Sequence, residues 1–591
     1  MKNTTRKSAA QHAFSLLPTT DIERSTFDRS HGHKTMMNGG DLVPIFIDEV
    51  VPSDEFALNL NYLGRMITPI TPFMDNVHAS FHFFYVPKRL VWDNFEKFIC
   101  GVADSNGNAY TYPTMWISKN EKTYGASSDN AYYGLYNGSL ADHFGIPFTD
   151  IPDCDSTKKD TGLEVNSLPF RAYNLIWNEW YRQEQIQDKV NVYTGDSNCQ
   201  SEKGGDYKLL KRGKRHDYFT SCLPSPQLGE EVLLPLGSTA PVIGNGKAIG
   251  LTDGTTATGL WNGSYLLGAG NAWNADVGAS VSTQGDGLGA HKAIGLTKLG
   301  EYSGMVADLS SATSASINSI REAFQIQRLF ERDARCGGER YVEFLLAHFK
   351  TTSPDARLQR PEYLGGFTHD MLVNAIAQTS ASEDGSTPQG NLAATVQGFG
   401  NGGFKHSFVE HGYVIGLASI TTDLTYQQGL DKLWTRRKRF DEYFPVFSHL
   451  GEQPVLEGEI YSQGKYLTSP IGSLIQTYQA YENVEDDTNI TDSSVFGYQE
   501  RYAEYRYKPS MITSGFRSGL GSESFDIWHL AQEFESAPTL SSEFIQEAPP
   551  FERVLAVDTE TSPQFMMDLW FDLKCTRPLP MYGVPGMVDH F

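Results

Sequence analysis

The chain has 591 residues and a formal net charge of −23 at pH 7. That acidic balance excludes a protein that coats nucleic acid over its whole surface, so any contact with nucleic acid has to be local. Aromatic residues make up 12% of the chain, enough for a large core, and 55 glycines with 28 prolines imply many turns. These values favour a loop-rich β protein over a helical one.

The N-terminal region carries no apolar run that would indicate a secretory signal, and no window of the sequence is apolar enough to span a membrane. We therefore expect a protein that is made in the cytoplasm and does not insert into membranes. The six cysteines are scattered without Cys-x-x-Cys spacing, so reduced thiols are expected rather than disulfides or zinc ligands.

Two strands are predicted near the N-terminus, from Phe56 to Leu63 and from Val77 to Tyr85. In each, apolar residues alternate with polar ones, which indicates a strand with one buried face. His78 and His82 lie four residues apart on the same side of the second strand. That separation is too wide to chelate one ion unaided, so we interpret both as histidines of the polar face.

A helix is predicted from Pro169 to Ile186, with Ser167 as a candidate N-cap and a proline in the first turn. Its aromatic and aliphatic residues follow helical spacing, which is more typical of core packing than of a ligand site. These residues are Tyr173, Ile176, Trp177 and Trp180.

Sixteen glycines lie between Gly237 and Gly304 without the tripeptide period of collagen. A flexible linker is one interpretation, yet Trp261, Tyr265 and Trp273 can order the segment by packing on one another or on a neighbour. Regular structure is predicted again directly after it, so the segment is interpreted as an insertion into one domain.

The stretch from Ile317 to Arg335 is predicted to be a helix lying on a core, because Ile317, Ile320 and Phe324 recur at helical spacing with Ile326, Leu329 and Phe330 beside them. A second helix, from Tyr341 to Phe349, precedes a proline-containing polar arm from Ser353 to Tyr363. Further short strands are expected after Gly366, ending with a clear alternating one. They are placed at Phe404 to Glu410, Tyr413 to Thr422, Val455 to Tyr461, Arg501 to Tyr507, Val554 to Val557 and Phe565 to Thr576.

Two stretches interleave cations with rings that can stack on unpaired bases. The first is Arg436, Arg437, Lys438 and Arg439, flanked by Trp434 and Phe440, and the second holds Arg501, Tyr505, Arg506 and Lys508. Either stretch alone is also compatible with a solvated face or a protein interface.

Catalytic sequence motifs such as G-x-S-x-G, H-E-x-x-H or a P-loop do not occur. The glycines from Gly398 to Gly403 are interpreted as a turn, because no buried parallel strand and helix flank them. Spacing alone leaves open a pair of carboxylates for glycoside hydrolysis, whose separation is set in three dimensions. No enzymatic activity, cofactor or metal is expected.

The chain contains four long motifs: INSIREAFQIQRLFERDAR (Ile317 to Arg335), SPDARLQRPEYLGG (Ser353 to Gly366), FGYQERYAEYRYKPS (Phe496 to Ser510) and YGVPGMVDHF (Tyr582 to Phe591). With these motifs it resembles the major capsid proteins of small single-stranded-DNA bacteriophages, the gokushovirus branch of the microviruses. The resemblance covers nearly the whole chain and is weakest between about Val190 and Gly300. It implies an eight-stranded viral jelly-roll β-sandwich with long insertion loops and a few helices.

The resemblance also implies an assembly. Sixty copies, built through pentamers, would form a T=1 icosahedral shell around circular single-stranded DNA, in a virion made in the host cytoplasm. Three parts are expected: residues 1–189 with an N-terminal arm and the first part of the jelly roll, a glycine-rich surface insertion at 190–304, and residues 305–591 with helices, the remaining strands and a C-terminal arm. In this family the insertion projects at the three-fold axes and is thought to meet the host, so Trp261, Tyr265 and Trp273 are the candidate residues for host contact.

The partners that the resemblance implies are an internal scaffolding protein, a small basic DNA-binding protein, a DNA pilot protein, the genome and a host-cell receptor. Two other function classes stay open: a β-sandwich carbohydrate-binding protein or glycoside hydrolase, and a sequence-tolerant single-strand-binding protein. The net charge disfavours the last.

Overall fold

A computed structural model describes most of the chain. The described residues are 23–103, 107–118, 133–134, 136–147, 163–196, 207–229, 317–337, 341–350, 359–377, 379, 392–463, 492–518, 524–557 and 562–582, with seven short strands between 242 and 307. Two compact units result, the second of them Gln227–Asp333 and the first comprising the rest of the chain.

Nine strands, all paired antiparallel, form the main sheet of the first unit. They are β1 (Ser25–Asp28), β2 (His31–Met37), β3 (Val43–Val50), β4 (Glu55–Met66), β5 (Val77–Pro87), β6 (Glu362–Ala377), β7 (Leu392–Ser407), β8 (Gly412–Thr422) and β9 (Phe565–Arg577). Their order is β1-β9-β4-β7-β6-β5-β8-β3, and β2 also pairs with β9.

The sheet curls so that its two halves face each other. Strand β6 joins the halves, since Glu362–Met371 pairs with β5 while Leu372–Ala377 pairs with β7. The rings of Phe46 on β3 and Phe571 on β9 lie 5.1 Å apart although their strands are far apart in the order. The prediction of a mainly β, antiparallel sandwich is thereby confirmed, with nine strands rather than eight. The jelly-roll connectivity stays a prediction.

The core lies between the two halves and follows the alternation seen in the sequence. Every even-numbered residue of β4 from Phe56 to Met66 is buried, and so is every odd-numbered residue of β9 from Phe565 to Cys575. Successive side chains of a strand point to opposite faces, so each strand contributes one apolar face to the sandwich. The strands predicted at these positions are confirmed.

The glycines from Gly398 to Gly403 lie inside strand β7, so their interpretation as a turn is wrong. A Cβ at Gly402 would lie 2.2 Å from the ring of Phe367, and one at Gly403 would lie 1.9 Å from the carbonyl oxygen of Leu58. These glycines allow neighbouring strands and rings to approach closely, a role that glycine also has inside strands.

The helix Leu168–Trp180 packs on the outer face of β5 and β8, through Tyr173, Ile176 and Trp177. It ends six residues before the predicted Ile186. Ser167 is the N-cap residue, as predicted, but its side chain makes no capping hydrogen bond. Its hydroxyl donates to the carbonyl of Pro113, while Asn166 Oδ1 accepts from the N–H of Leu168, at 2.9 Å each.

The remaining elements of the first unit are short. Outside the main sheet its strands are Thr114–Ser118, Tyr133–Gly134, Leu163–Asn166, Thr425–Tyr426, Glu452–Leu456, Val495–Glu500 and Ser510–Met511. The other α-helices are Lys88–Val91, Phe95–Ile99, Leu140–His143, Tyr341–Phe349, Glu457–Ile460 and Ser542–Ile545. A π-helical turn, Asp333–Gly337, begins at the last residue of the second unit.

Four strands predicted in the C-terminal part are wrong in whole or in part. The stretch from Phe404 to Glu410 is a strand only as far as Ser407. The stretch from Val455 to Tyr461 is a strand only as far as Leu456, and the helix Glu457–Ile460 follows. The stretch from Arg501 to Tyr507 contains the 3-10 turn Ala503–Tyr505, and no strand begins at Val554. Further 3-10 turns are Lys432–Trp434, Arg439–Asp441, Pro445–Phe447, Ser514–Phe516, Asp526–Trp528 and Phe551–Arg553.

The second unit contains a small sheet, a strand pair and one long helix. The sheet has the strands Gly250–Thr252, Ala257–Trp261, Tyr265–Gly268, Asn271–Asn274 and Gly295–Leu296. Val242–Gly244 pairs with Met305–Ala307.

The helix of the second unit, Ile317–Arg332, lies where it is predicted. Ile320, Phe324 and Leu329, which were expected to face a core, are instead 46%, 55% and 46% exposed. The apolar stripe predicted from the spacing is therefore a surface of the subunit. The candidate caps of this helix, Ser310 to Ser316, lie outside the described residues.

Candidate nucleic-acid interface

The two cation-rich stretches, more than sixty residues apart in sequence, meet in the structure. The guanidinium of Arg436 reaches Glu504 Oε1 at 3.4 Å and lies 4.6 Å from the ring centre of Tyr505. An ion pair between Lys508 and Asp431 joins them a second time. We call Trp434, Arg436–Phe440, Tyr443, Arg501 and Tyr505–Lys508 together the aromatic-basic surface.

The local backbone conformation orients the side chains of the aromatic-basic surface. Tyr502 adopts a left-handed φ of 63°, uncommon for a residue with a side chain, and its N–H donates to Gln453 Oε1 at 3.0 Å. This bend follows the strand Val495–Glu500 and leads into the turn that carries Tyr505. In the other stretch, Asp441 Oδ2 accepts hydrogen bonds from the N–H groups of Arg437 and Lys438 at 2.8 and 2.7 Å.

The cations of this surface differ in their partners. Carboxylates pair with Arg436, Arg506 and Lys508. Arg439 lies over the rings of Phe440 and Phe444, at 5.9 and 5.8 Å, and Arg501 lies 5.0 Å from the ring of Tyr502. Arg437 and Lys438 are exposed. The surface is therefore partly neutralised, and the cations at residues 437–439 are all exposed.

Five rings of the surface face solvent, with exposed fractions between 43% and 72%. They are Trp434, Phe440, Tyr443, Tyr505 and Tyr507. Exposed rings beside guanidinium groups are the combination that binds unpaired bases through stacking and their phosphates through charge.

The residues predicted for host contact lie in the sheet of the second unit. Trp261 and Trp273 pair with the same residue, Leu266, from the two strands beside it, and Tyr265 pairs with Asn274. The backbone thus places all three on adjacent strands.

The two histidines of β5 have different surroundings. His78 lies between Asp370 and Asp423, at 2.5 and 3.0 Å. His82 Nδ1 lies 2.7 Å from the hydroxyl of Tyr181, and burial lowers the pKa of His82 to about 4. Within the described ranges, no three His, Cys, Asp or Glu side chains are grouped as metal ligands would be.

The structure contains a cavity beside His82 that the sequence patterns do not predict. It has a volume of about 360 Å³, and rings of β5, β6 and the end of the helix Leu168–Trp180 line it together with the basic stretch Arg212–Arg215. The run Lys211-Arg212-Gly213-Lys214-Arg215 was a visible signal in the sequence. Its association with these rings depends on tertiary packing.

Comparison with known proteins identifies the family. A family model described as "Capsid protein (F protein)" matches residues 15–587. Relatives named capsid protein VP1 occur in Bdellovibrio phage phiMH2K, 43% identical over 593 residues and 98% of both chains, and in Chlamydia phage 1, 39% identical over 631 residues and 98% of both chains. That of Spiroplasma virus 4 is 34% identical over 605 residues and 99% of both chains.

Among the described helices, none is both long and apolar enough to cross a bilayer. The matches confirm the resemblance carried by the four motifs. They show that the chain belongs to the capsid protein (F protein) family and is a structural subunit of a bacteriophage virion.

Proposed function

We propose that sixty copies of this protein, assembled through pentamers, form a T=1 shell around circular single-stranded DNA. The observation that carries this proposal is the amount of apolar surface that the subunit leaves exposed in groups. On the helix Ile317–Arg332 the group is Ile320, Phe324, Ile326 and Leu329, and around the aromatic-basic surface it is Leu433, Trp434, Val446 and Leu450. Several large apolar side chains left exposed along one helix or one short stretch of chain are typical of surfaces that other molecules cover.

The aromatic-basic surface is proposed to contact the genome. Its exposed rings offer stacking faces to bases, and Arg437, Lys438 and Arg439 offer charge to phosphates. A subunit with a net charge of −23 contributes little overall neutralisation. This supports a small basic protein as a second internal partner, beside a scaffolding protein and a DNA pilot protein.

The sheet of the second unit is proposed to contact the host bacterium through Trp261, Tyr265 and Trp273. Aromatic residues are frequent at the centres of protein interfaces, because they bury a large area with few rotatable bonds. The proposal assigns no catalytic step to any residue of the chain.

Electron microscopy of the protein, expressed with its natural neighbours and with the viral genome, tests the assembly. The expected result is closed icosahedral particles of sixty subunits that contain DNA. A stable lone subunit that hydrolyses or binds glycans under the same conditions would overturn the proposal in favour of a β-sandwich glycan protein.

Substitutions test the genome contact. Arg437→Gln combined with Arg439→Gln should give particles of normal size with at least threefold less DNA, measured as the ratio of absorbance at 260 and 280 nm. The matched control is Lys34→Gln with Lys574→Gln, which removes the same charge from exposed positions on β2 and β9. Equal DNA content in the two double variants would show that the genome does not contact this surface, and it would leave the proposed shell unaffected.

A further inference from the structure

The cavity beside His82 combines an aromatic wall with a cationic wall. Phe84, Trp180 and Tyr363 form a ring cluster with centroid distances of 5.5 to 5.8 Å. Phe84 is buried, whereas Trp180 and Tyr363 are 39% and 43% exposed, so the cluster has an apolar floor and an accessible edge. The cavity has a volume of about 360 Å³, which lies within the range of about 300–1,000 Å³ that small-molecule sites usually have.

The cationic wall is held in place by backbone hydrogen bonds on both of its sides. The N–H of Arg212 donates to Gly40 O at 2.8 Å, and that of Lys214 donates to Ile545 O at 2.7 Å. The carbonyl of Arg212 accepts from the N–H of Glu547 at 2.8 Å. The backbone of this segment is thus fixed beside the cavity. The Lys214 ammonium lies 3.4 Å from Gln532 Oε1 and 4.5 Å from the ring centre of Phe544.

The charge of this wall is only partly compensated. Among the described residues that line the cavity, none is acidic, and Arg215 forms its ion pair with Asp423 at 3.0 Å. Arg212 Nη1 donates to the neutral hydroxyl of Ser419 at 2.9 Å. The nearby Glu547 is fully buried, and burial raises the pKa of Glu547 to about 7, while burial also lowers the pKa of Lys214.

Two further groups favour a flat, anionic ligand. Arg360 lies 5.2 Å from the ring centre of Trp180 and adds a cation beside the aromatic wall. His82 Nδ1 is engaged with the hydroxyl of Tyr181, at 2.7 Å. Because the pKa of His82 is lowered to about 4 by burial, its ring is neutral at pH 7 and is suited to hydrogen bonding with a base.

We propose that this cavity binds one nucleotide of unpaired DNA, with the base against Trp180 and Tyr363 and the phosphate against Arg212 and Lys214. The inference rests on the proposed enclosure of single-stranded DNA and adds a specific site to it, distinct from the aromatic-basic surface. Stacking supplies sequence-tolerant affinity because every base has a flat face, and the fixed cations orient the backbone.

Photo-cross-linking in intact particles tests the site without any substitution. Particles are grown with 5-bromodeoxyuridine in their DNA, irradiated and digested, and the cross-linked peptides are identified by mass spectrometry. The expected cross-links lie on Trp180, Tyr181 or Tyr363. Cross-links confined to Trp434, Tyr505 and Tyr507 would overturn this inference but support the genome contact of the proposed function. Particles without DNA would instead contradict the proposed function itself.

Titration of the purified full-length protein with thymidine 5′-monophosphate provides a second measurement. We expect saturable binding that Trp180→Leu or Lys214→Gln weakens at least tenfold, while Tyr363→Phe, which keeps the ring, binds like the unmodified protein. Lys574→Gln, which removes an exposed charge on β9, should have no effect. Thymidine and inorganic phosphate should each bind at least tenfold more weakly than the nucleotide. Equal binding of inorganic phosphate, or no effect of Trp180→Leu, would overturn the inference.

Discussion

Glu547 links the stability of the subunit to pH. It is fully buried, and burial raises its pKa from 4.5 to about 7, with Lys214, Arg212 and Arg215 opposing the shift. Between these values the folded chain holds a proton that the unfolded chain has released. The stabilising contribution is complete below about pH 4.5 and is lost as the pH rises through about 7, which corresponds to about 2–4 kcal/mol.

Glu547→Gln should remove this dependence. We expect the free energy of unfolding of the unmodified subunit, measured with urea, to fall between pH 5 and 8 relative to that of the variant. Asp41, whose pKa burial raises to about 6, and His82, whose pKa burial lowers to about 4, titrate in both proteins and cancel in the comparison. Parallel pH profiles for the two proteins would show that Glu547 titrates at its ordinary pKa.

Gly403 is a position where a single methyl group should disrupt the sandwich. A Cβ there would lie 1.9 Å from Leu58 O and 2.8 Å from the Cα of Asn59, both backbone atoms of β4. Because backbone cannot rotate away, Gly403→Ala forces β4 and β7 apart and should cost about 3 kcal/mol in unfolding free energy. At Gly32 the nearest atom would be 3.6 Å away, so Gly32→Ala is the control and should change stability by about 0.5 kcal/mol or less. Equal urea midpoints for the two variants would refute the argument.

At the scale of elements, the apolar face of the helix Ile317–Arg332 should matter for assembly and not for folding. Phe324 and Leu329 are about half exposed in the subunit, so replacing both by serine removes little buried area. We expect the double variant to unfold at the same urea concentration as the unmodified subunit and to form at least tenfold fewer particles, counted by electron microscopy. Glu322→Ser with Arg328→Ser, also exposed on this helix, is the matched control. A loss of folding stability in the first pair would instead place this face in the core of the subunit.

Sequence patterns predicted the elements whose burial is regular and failed where tertiary contacts decide. The alternation in β4 and β9 gave both strands and their buried faces, because each has one face in the core. The glycines of β7 were wrongly predicted to form a turn. A glycine that packs under a ring inside a strand cannot be distinguished in the sequence from a glycine in a turn. Helical spacing likewise placed Phe324 on the apolar face of its helix. Spacing alone cannot distinguish a face that is buried in the core of the subunit from one that is exposed on its surface.

The candidate interface shows the same limit. Each cation-rich stretch can be recognised in the sequence. The contact between the two stretches depends on Glu504 and Asp431, each of which forms an ion pair with a cation of the opposite stretch. The cavity beside His82 brings together residues from β5, the helix Leu168–Trp180 and β6. No local pattern carries such a grouping, because its members are separated by up to several hundred residues.

For the whole molecule, the two compact units predict separable roles. No member of the three apolar cores of the first unit comes from Gln227–Asp333, as far as the described residues extend. Within the second unit, Gly244 and Met305 are paired directly across two antiparallel strands. Their adjacency means that a tight turn can replace the sixty residues between them, since paired strands need only two to five connecting residues.

Replacing residues 245–304 by Asn-Gly should therefore leave the first unit folded. We expect its urea midpoint to stay within the error of measurement, because the deletion removes none of the side chains that form those cores. If the sheet of the second unit contacts the host, assembled particles of the deletion variant should lose attachment to host cells at least tenfold. The control replaces Trp261, Tyr265 and Trp273 by serine and keeps the insertion. Attachment lost in the deletion but retained in the triple variant would place the contact elsewhere in residues 245–304. Normal attachment of both variants would show that these residues do not contact the host.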